Sequence, residues 1–152
     1  MELINVTASI DAPVEMVWSL FSDFGGVDRI FPIEGVPPLG CIEKVDMEGE
    51  GLGSIRTMYF SNSDPVQERL TRCDHDSLIM EYEALALPIG VEDYRARIMC
   101  QREAVGRTGV IYTAQGVPTF MTQSELREML TPLFSALISR ARELAEPRVK
   151  TA

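Results

Sequence analysis

Apolar and polar residues alternate along much of the chain, and this two-residue period is typical of β-strands with one buried face. The first such run is Leu3–Ile10. Six more follow between residues 41 and 115. They are Cys41–Glu48, Ser54–Ser61, Val66–Cys73, Leu78–Leu87, Glu92–Glu103 and Thr108–Gln115. Short segments rich in Gly, Asn, Asp and Pro separate these runs, so the sequence predicts a seven-stranded antiparallel sheet.

A short helix is predicted directly after the first strand. Four apolar residues recur there at the spacing of one helix face, namely Val14, Val17, Trp18 and Phe21. Asp11 is expected to cap this helix, and the pair Gly25-Gly26 is expected to end it. A second short helix is predicted from Val27 to Phe31.

A long amphipathic helix is predicted from Thr122 to Ala145. Thr122 and Glu125 have the spacing of a capping box, in which each side chain satisfies the backbone N–H of the other residue. The apolar stripe of the helix consists of Leu126, Met129, Leu130, Leu133, Phe134, Leu137, Ile138, Ala141 and Leu144. Residues 1–146 are expected to form a single domain, followed by a loose tail at 147–152.

Charge and composition narrow the classes of partner. The net charge is -9, with 14 Lys and Arg scattered among 23 Asp and Glu. A nucleic-acid-binding protein needs clustered basic residues to neutralise phosphates, so we expect no nucleic-acid partner. No apolar run reaches about 18 residues, so we expect no membrane insertion. Cys41, Cys73 and Cys100 are far apart, which favours free thiols and a cytoplasmic location.

Metal, cofactor and hydrolytic sites are not indicated. His75 is the only histidine and lies in the turn Asp74-His75-Asp76, with no second His or Cys cluster and no nucleophile expected nearby. A solvated turn is therefore the expected setting of His75. The glycines of 49–53 precede a strand rather than a helix, so they indicate a bend and not a dinucleotide site. No metal and no cofactor are predicted.

Four segments carry a resemblance to a known family. They are Ala12-Pro13 through Val17-Trp18 to Asp23-Phe24-Gly25; Gly51-x-Gly53-Ser54-Ile55-Arg56; Glu68-Arg69-Leu70 with Asp74; and Tyr82 with Leu87-Pro88 and Asp93-Tyr94. Their order resembles the START-like (SRPBCC) superfamily, in its polyketide cyclase/dehydrase-like and lipid-transfer branch. The resemblance implies an α+β helix-grip fold, in which the seven-stranded sheet wraps around the long C-terminal helix and leaves a hollow between them.

The chain departs from this family at three places. Family members often carry Trp where Phe31 stands, and many carry Trp where Tyr112 stands. The gate-loop sequence of the plant hormone receptors is absent, because the corresponding turn reads Ser61-Asn62-Ser63-Asp64-Pro65. A hormone-receptor function is therefore not supported.

The alternation of the strands predicts which side chains face the hollow. Val66 and Leu70 mark the inner face of their strand, so Glu68 between them also points inward. The next two strands turn inward Met80, Tyr82, Tyr94 and Ile98. Alternation does not decide the faces of Ser54–Ser61, where the resemblance implies that Arg56, Met58 and Phe60 point inward. The predicted ligand-binding residues are Arg56, Met58, Phe60, Glu68, Met80, Tyr82, Tyr94, Ile98, Tyr112, Met129 and Leu133.

The roles of these residues stay open at this point. Arg56 and Glu68 form a structural ion pair, or they hydrogen-bond the polar head of a ligand, or Glu68 acts as an acid–base group. The last is least favoured, since a paired carboxylate is a poor base. The tyrosines either stack on an aromatic guest or fill the core, and the methionines either adapt to a ligand or simply pack.

An apolar connection, Leu85 to Val91, stands where polar turns are usual. It is expected to line the entrance of the hollow together with the turn Asn62–Pro65, or else to be a strand end buried under the long helix.

The leading functional hypothesis is binding of a hydrophobic small molecule, aromatic, polyketide-like or lipid, in the central hollow. The first alternative, implied by the resemblance, is an enzyme similar to polyketide cyclases and aromatases that positions a reactive chain and polarises a carbonyl. The second is a protein-interaction module that uses the apolar loop and the long helix as a homodimer face.

Overall fold

One antiparallel sheet of seven strands organises the fold, as the alternation predicts. The structure, a computed structural model, describes residues 4–146, so the predicted tail at 147–152 and Leu3 of the first predicted strand lie outside the described residues. The strands are β1 (Ile4–Ile10), β2 (Ile42–Glu48), β3 (Ile55–Phe60), β4 (Val66–Asp74), β5 (Ile79–Ala86), β6 (Val91–Ala104) and β7 (Arg107–Pro118).

The strand order places the first and the last strand side by side. Neighbours in the sheet follow the order β1-β7-β6-β5-β4-β3-β2, and every pair is antiparallel. Strands β2 to β7 therefore form a meander, and β1 joins its far edge with Val6 opposite Tyr112. Since the side chains of one face alternate along each strand, this register fixes which residues face the interior.

The long helix α2 (Gln123–Ala145) packs against this sheet, and it contacts β1 and β7. Its predicted capping box is confirmed: the N–H of Glu125 donates to Thr122 Oγ1 at 3.1 Å, and the N–H of Thr122 donates to Glu125 Oε1 at 3.2 Å. The buried face of the helix consists of Leu126, Leu130, Phe134, Leu137, Ile138, Ala141 and Ala145. Within the described range, no helix is long and apolar enough to cross a bilayer.

The predicted cap of the first helix was wrong. Asp11 does not cap α1 (Val14–Ser22), whose N-cap is Pro13 without a side-chain hydrogen bond; the N–H of Asp11 donates instead to Glu146 Oε2 at 3.0 Å.

The second helix is also misplaced in the prediction. It is a 3₁₀-helix, Phe24–Ile30, and the two glycines lie inside it rather than ending α1. Gly25 is used for close approach, because a Cβ there would lie 3.1 Å from Met47 Cγ of β2.

A hydrogen bond between the only tryptophan and the only histidine ties α1 to the turn after β4. The indole N–H of buried Trp18 donates to His75 Nδ1 at 2.9 Å, and the two rings meet edge to face. Because an indole N–H can only donate, Nδ1 must be the acceptor and the ring proton of the neutral imidazole sits on Nε2.

His75→Ala should lower the free energy of unfolding by about 0.5–1.5 kcal/mol, because the indole N–H loses its partner. The measurement is urea denaturation followed by far-UV circular dichroism, since the fluorescence of Trp18 itself would change. Asp76→Ala is the matched control, because Asp76 contributes a backbone N–H and not its side chain to this turn. Equal stability of the two variants would show that water replaces His75 at no cost.

Candidate functional site

The polar centre of the interior is an ion pair between adjacent strands. Arg56 of β3 lies directly opposite Glu68 of β4, and both point inward as expected. Their exposed fractions are only 3% and 5%. Both Nε and Nη2 of Arg56 donate to Glu68 Oε1, at 2.9 and 2.6 Å. Two hydrogen bonds to one oxygen fix the guanidinium and leave the second carboxylate oxygen, Oε2, outside the pair.

Two aromatic rings, which also contact each other at 6.2 Å, pack against the guanidinium. Cζ of Arg56 lies 4.1 Å from the ring centroid of Phe24 and 4.7 Å from that of Tyr82. The Nη1 group donates to the backbone oxygen of Phe24 at 3.1 Å. Cation–π contacts of this kind are strongest where water is excluded. Arg56 is therefore held in one orientation by an ion pair, a carbonyl and two rings.

Burial and pairing act on the charges of the pair in opposite directions. Burial raises the pKa of Glu68 above the ordinary carboxyl range, and Arg56 opposes this through its charge and hydrogen bonds. For Arg56, burial lowers the pKa, but the Glu68 carboxylate and the nearby tyrosines outweigh it, so the net pKa is raised. Arg56 therefore stays charged at every physiological pH.

Three buried tyrosines surround this pair, one each on β5, β6 and β7. The hydroxyls of Tyr82 and Tyr112 share a hydrogen bond, and the ring of Tyr112 stacks on Phe134 at 4.1 Å. Burial raises the pKa of Tyr82, Tyr94 and Tyr112, so each hydroxyl is neutral at pH 7. Among residues 4–146, no group hydrogen-bonds the Tyr94 hydroxyl or Glu68 Oε2. Both atoms are available to a guest.

A narrow cavity of about 50 Å³ lies between these polar groups and α2. Residues predicted as ligand-binding line it as follows: Arg56, Met58, Phe60, Glu68, Tyr82, Tyr94, Tyr112 and Leu133. The remaining wall is apolar and comes from α2, the 3₁₀-helix and the loop after it, Val66 of β4 and the β5–β6 connection. The cavity thus has one polar end and an otherwise apolar surface.

Three predicted residues do not line this cavity. Met80 and Ile98 face inward as expected, but they lie opposite each other deeper in the core and are almost fully buried. Alternation fixes the face of a residue but not its position along the hollow. Met129 packs against the core without reaching the cavity.

Sequence reasoning missed several lining residues, which are Val27, Phe31, Pro37, Pro38, Leu39, Leu130, Phe134 and Leu137. The last three belong to the recognised apolar stripe of α2, whose period gives the buried face but not which residues touch the cavity. Residues 37–39 lie in a segment of the chain that prolines interrupt, where no periodicity exists to indicate direction.

An open depression of about 590 Å³ leads to the cavity from one end of the sheet. It is lined by the β3–β4 turn and the β5–β6 connection, and Pro38 and Ile89 border both spaces. Leu85, Ala86 and Pro88 are exposed, so this connection is not buried under α2. The arrangement supports the predicted entrance.

His75 has one cysteine beside it. Cys73 Sγ lies 3.7 Å from His75 Nε2. Burial and then the charge of Asp74 raise the pKa of the Cys73 thiol, so it is not an activated nucleophile. Within residues 4–146, no three His, Cys, Asp or Glu side chains gather as a metal site.

Arg56→Met should lower the free energy of unfolding by about 3–5 kcal/mol, because it leaves Glu68 buried without its partner. Adding Glu68→Leu to this variant should recover most of the loss, since the lone buried charge is then gone. Chemical denaturation at neutral pH measures both effects.

The control is Arg69→Met with and without Glu83→Leu, an ion pair at 3.4 Å whose side chains are far more exposed. These variants should stay within about 1 kcal/mol of the original protein. A similarly small effect for Arg56→Met would show that the inner pair is not desolvated.

The comparisons with known proteins agree with this architecture. The model of a family described as "Polyketide cyclase / dehydrase and lipid transport" matches residues 1–146. No curated protein matches the chain. The protein XoxI from Bacillus cereus has a similar structure, with a TM-score of 0.80 at 16% identity, covering 93% of each chain.

Two enzymes have the same fold. The Zhui aromatase/cyclase from Streptomyces sp. R1128 has a TM-score of 0.74 at 22% identity, covering 97% of this chain and 94% of its own. Norcoclaurine synthase from Thalictrum flavum, in complex with dopamine and hydroxybenzaldehyde, has a TM-score of 0.69 at 17% identity and covers 92% and 83%. At these identities the likeness shows the helix-grip fold alone.

Proposed function

We propose that this chain, which belongs to the polyketide cyclase/dehydrase and lipid transport family, binds a hydrophobic small molecule in the cavity between the sheet and α2. One observation carries the proposal. A polar layer built around a buried ion pair offers one free acceptor, Glu68 Oε2, and one free hydroxyl, Tyr94, to an otherwise apolar space. Such convergence of a few polar groups in an apolar pocket is typical of ligand sites.

The two free polar groups, Glu68 Oε2 and the Tyr94 hydroxyl, determine which head group the ligand can have. A hydroxyl, phenol or enol can donate to Glu68 Oε2 and accept from the Tyr94 hydroxyl at once. The body of the ligand would lie against Met58, Phe60 and Leu133, which are apolar. The cavity-lining rings of Phe31 and Phe60 meet at 5.2 Å and offer aromatic faces nearby.

The size of the cavity implies that the protein adapts on binding. About 50 Å³ holds roughly three or four water molecules, whereas pockets for drug-sized ligands span about 300–1,000 Å³. Uptake of such a ligand therefore requires the entrance segments around Pro38 and Ile89 to move outward. Neither segment belongs to a named strand or to α2, so no pair of named strands has to break. The N–H of Asn62 donates to the backbone oxygen of Leu39 at 3.0 Å, so outward movement of the Pro38 segment breaks this hydrogen bond or carries the β3–β4 turn with it.

An enzymatic role similar to polyketide cyclases is the second candidate, favoured by the setting of Arg56. A fixed guanidinium with neutral tyrosine hydroxyls nearby can polarise a carbonyl and stabilise a developing negative charge. Glu68 is less suited to abstract a proton, because Arg56 occupies one of its oxygens and would lose its counter-charge if Glu68 became neutral. Catalysis would then depend on positioning of the substrate.

Native mass spectrometry of the protein purified from its own host tests the proposal. The expected result is an added mass that is released under denaturing conditions as a hydrophobic compound with a hydroxyl or carbonyl group. A protein of unmodified mass that also fails to bind 2-naphthol and naphthalene in calorimetry would overturn it.

Tyr94→Phe should weaken binding of 2-naphthol by about 2- to 12-fold, the equivalent of one hydrogen bond. Its effect on stability should be small, since the hydroxyl has no partner among the described residues. Isothermal titration calorimetry gives the affinities.

Binding of naphthalene, which lacks the hydroxyl, should not change in Tyr94→Phe. Tyr59→Phe is the matched protein control, because Tyr59 lies on the same sheet but beside Lys44 and away from the cavity. Equal losses for both probes would rule out a hydrogen bond from Tyr94.

A further inference from the structure

A second, open cleft of about 600 Å³ lies at the end of the sheet opposite the entrance. The β2–β3 turn, the start of the 3₁₀-helix and the end of β4 form it, and Phe24, Leu52, Ser54, Leu70, Cys73 and His75 are among its lining residues. It shares no lining residue with the cavity. The interior is therefore bordered by solvent on two sides.

Two neighbouring strands pass from this rear cleft to the cavity. Ser54, which directly precedes β3, lines the cleft, while Arg56 of β3 lines the cavity. On β4, Glu68 lines the cavity and Leu70, the next inward residue, lines the cleft. The border between the two spaces thus falls at the Arg56–Glu68 pair.

Phe24 is the third part of this border. It lines the cleft but not the cavity, and its ring lies 4.1 Å from Cζ of Arg56. Its backbone oxygen accepts from Nη1 of the same guanidinium at 3.1 Å. The second ring in contact with the guanidinium, that of Tyr82, lines the cavity. Phe24 is thus the cleft-side cover of a charge that would otherwise meet the water of the rear cleft.

We propose that Phe24 is a positioning residue for Arg56: its ring keeps rear-cleft water off the Arg56–Glu68 pair and holds the guanidinium in the orientation that a cavity ligand meets. The benefit to a ligand rests on the proposed function, whereas the shielding of the pair does not. Water beside the guanidinium would weaken each electrostatic contact of the pair, because charges interact more weakly at higher local dielectric.

The test compares Phe24→Ala, Phe24→Leu and Phe24→Tyr. Hydrogen exchange of the Arg56 Nε–H, followed by ¹⁵N NMR, reports directly on access of water to the pair. Phe24→Ala should accelerate this exchange by about tenfold or more, because a ring contact is lost and solvent gains access. Phe24→Tyr should keep the original rate, since it keeps the ring.

Phe24→Leu separates packing from the action of the ring. It refills most of the volume without a π face, so exchange should fall between the Ala and Tyr variants. A Leu variant as protected as the Tyr variant would overturn the ring's role. If Phe24→Ala does not fold, which circular dichroism would show, the Leu–Tyr pair still decides. Leu52→Ala is the control, because Leu52 lines the same cleft and is 67% exposed.

Affinity for 2-naphthol distinguishes this inference from the proposed function. If the original protein binds 2-naphthol, Phe24→Leu should weaken binding while Phe24→Tyr retains it. If neither it nor naphthalene binds, the proposed ligand class fails, and the exchange rates alone decide the role of Phe24. Unchanged exchange of Arg56 Nε–H in Phe24→Leu and Phe24→Ala would overturn the proposal whatever the ligand result.

Discussion

The buried pair of Arg56 and Glu68 is the constraint on which the rest of the interior depends. A charge taken out of water is costly unless a partner and further hydrogen bonds compensate it. Here the register of β3 and β4 places the two side chains opposite each other, and Phe24 supplies a carbonyl and a ring. A slip of one residue in β3 would turn Arg56 to the outer face and leave Glu68 buried alone. The pair therefore penalises wrong registers as well as filling the core.

The same pair explains why the cavity is narrow and polar at one end. Compensating the guanidinium brings Phe24 and Tyr82 around it, and the shared hydrogen bond of Tyr82 draws in Tyr112, which stacks on Phe134 of α2. Of these rings, those of Tyr82, Tyr112 and Phe134 line the cavity and occupy space that a ligand would use. What remains near the sheet is small, so any capacity for larger guests must come from the segments at the entrance, which are held by fewer strand contacts.

Local patterns in the sequence predicted the elements, while contacts between distant segments were beyond them. Alternation predicted all seven strands and the inward direction of Glu68, Tyr82 and Tyr94, and the capping box placed the start of α2. Alternation does not indicate how far along the hollow a residue lies. Met80 and Ile98 were therefore expected at the cavity, whereas they lie in the core. The hydrogen bond from Trp18 to His75 joins residues of separate elements, and no spacing in the chain could indicate it. The placement of Phe24 against Arg56 has the same origin.

The geometry also favours binding of a guest over proton transfer by Glu68. To act as a base, Glu68 would have to become neutral on receiving a proton, and Arg56 would then be a buried cation without its counter-charge. Breaking a buried pair in this way costs several kcal/mol. Burial raises the pKa of Glu68 despite the charge and the two hydrogen bonds of Arg56, but a proton on Glu68 would still leave Arg56 unpaired. The arrangement is therefore better at presenting a fixed charge and neutral hydroxyls to a guest than at moving a proton. A reaction in this cavity would proceed by orienting its substrate and polarising a carbonyl, with the pair intact throughout.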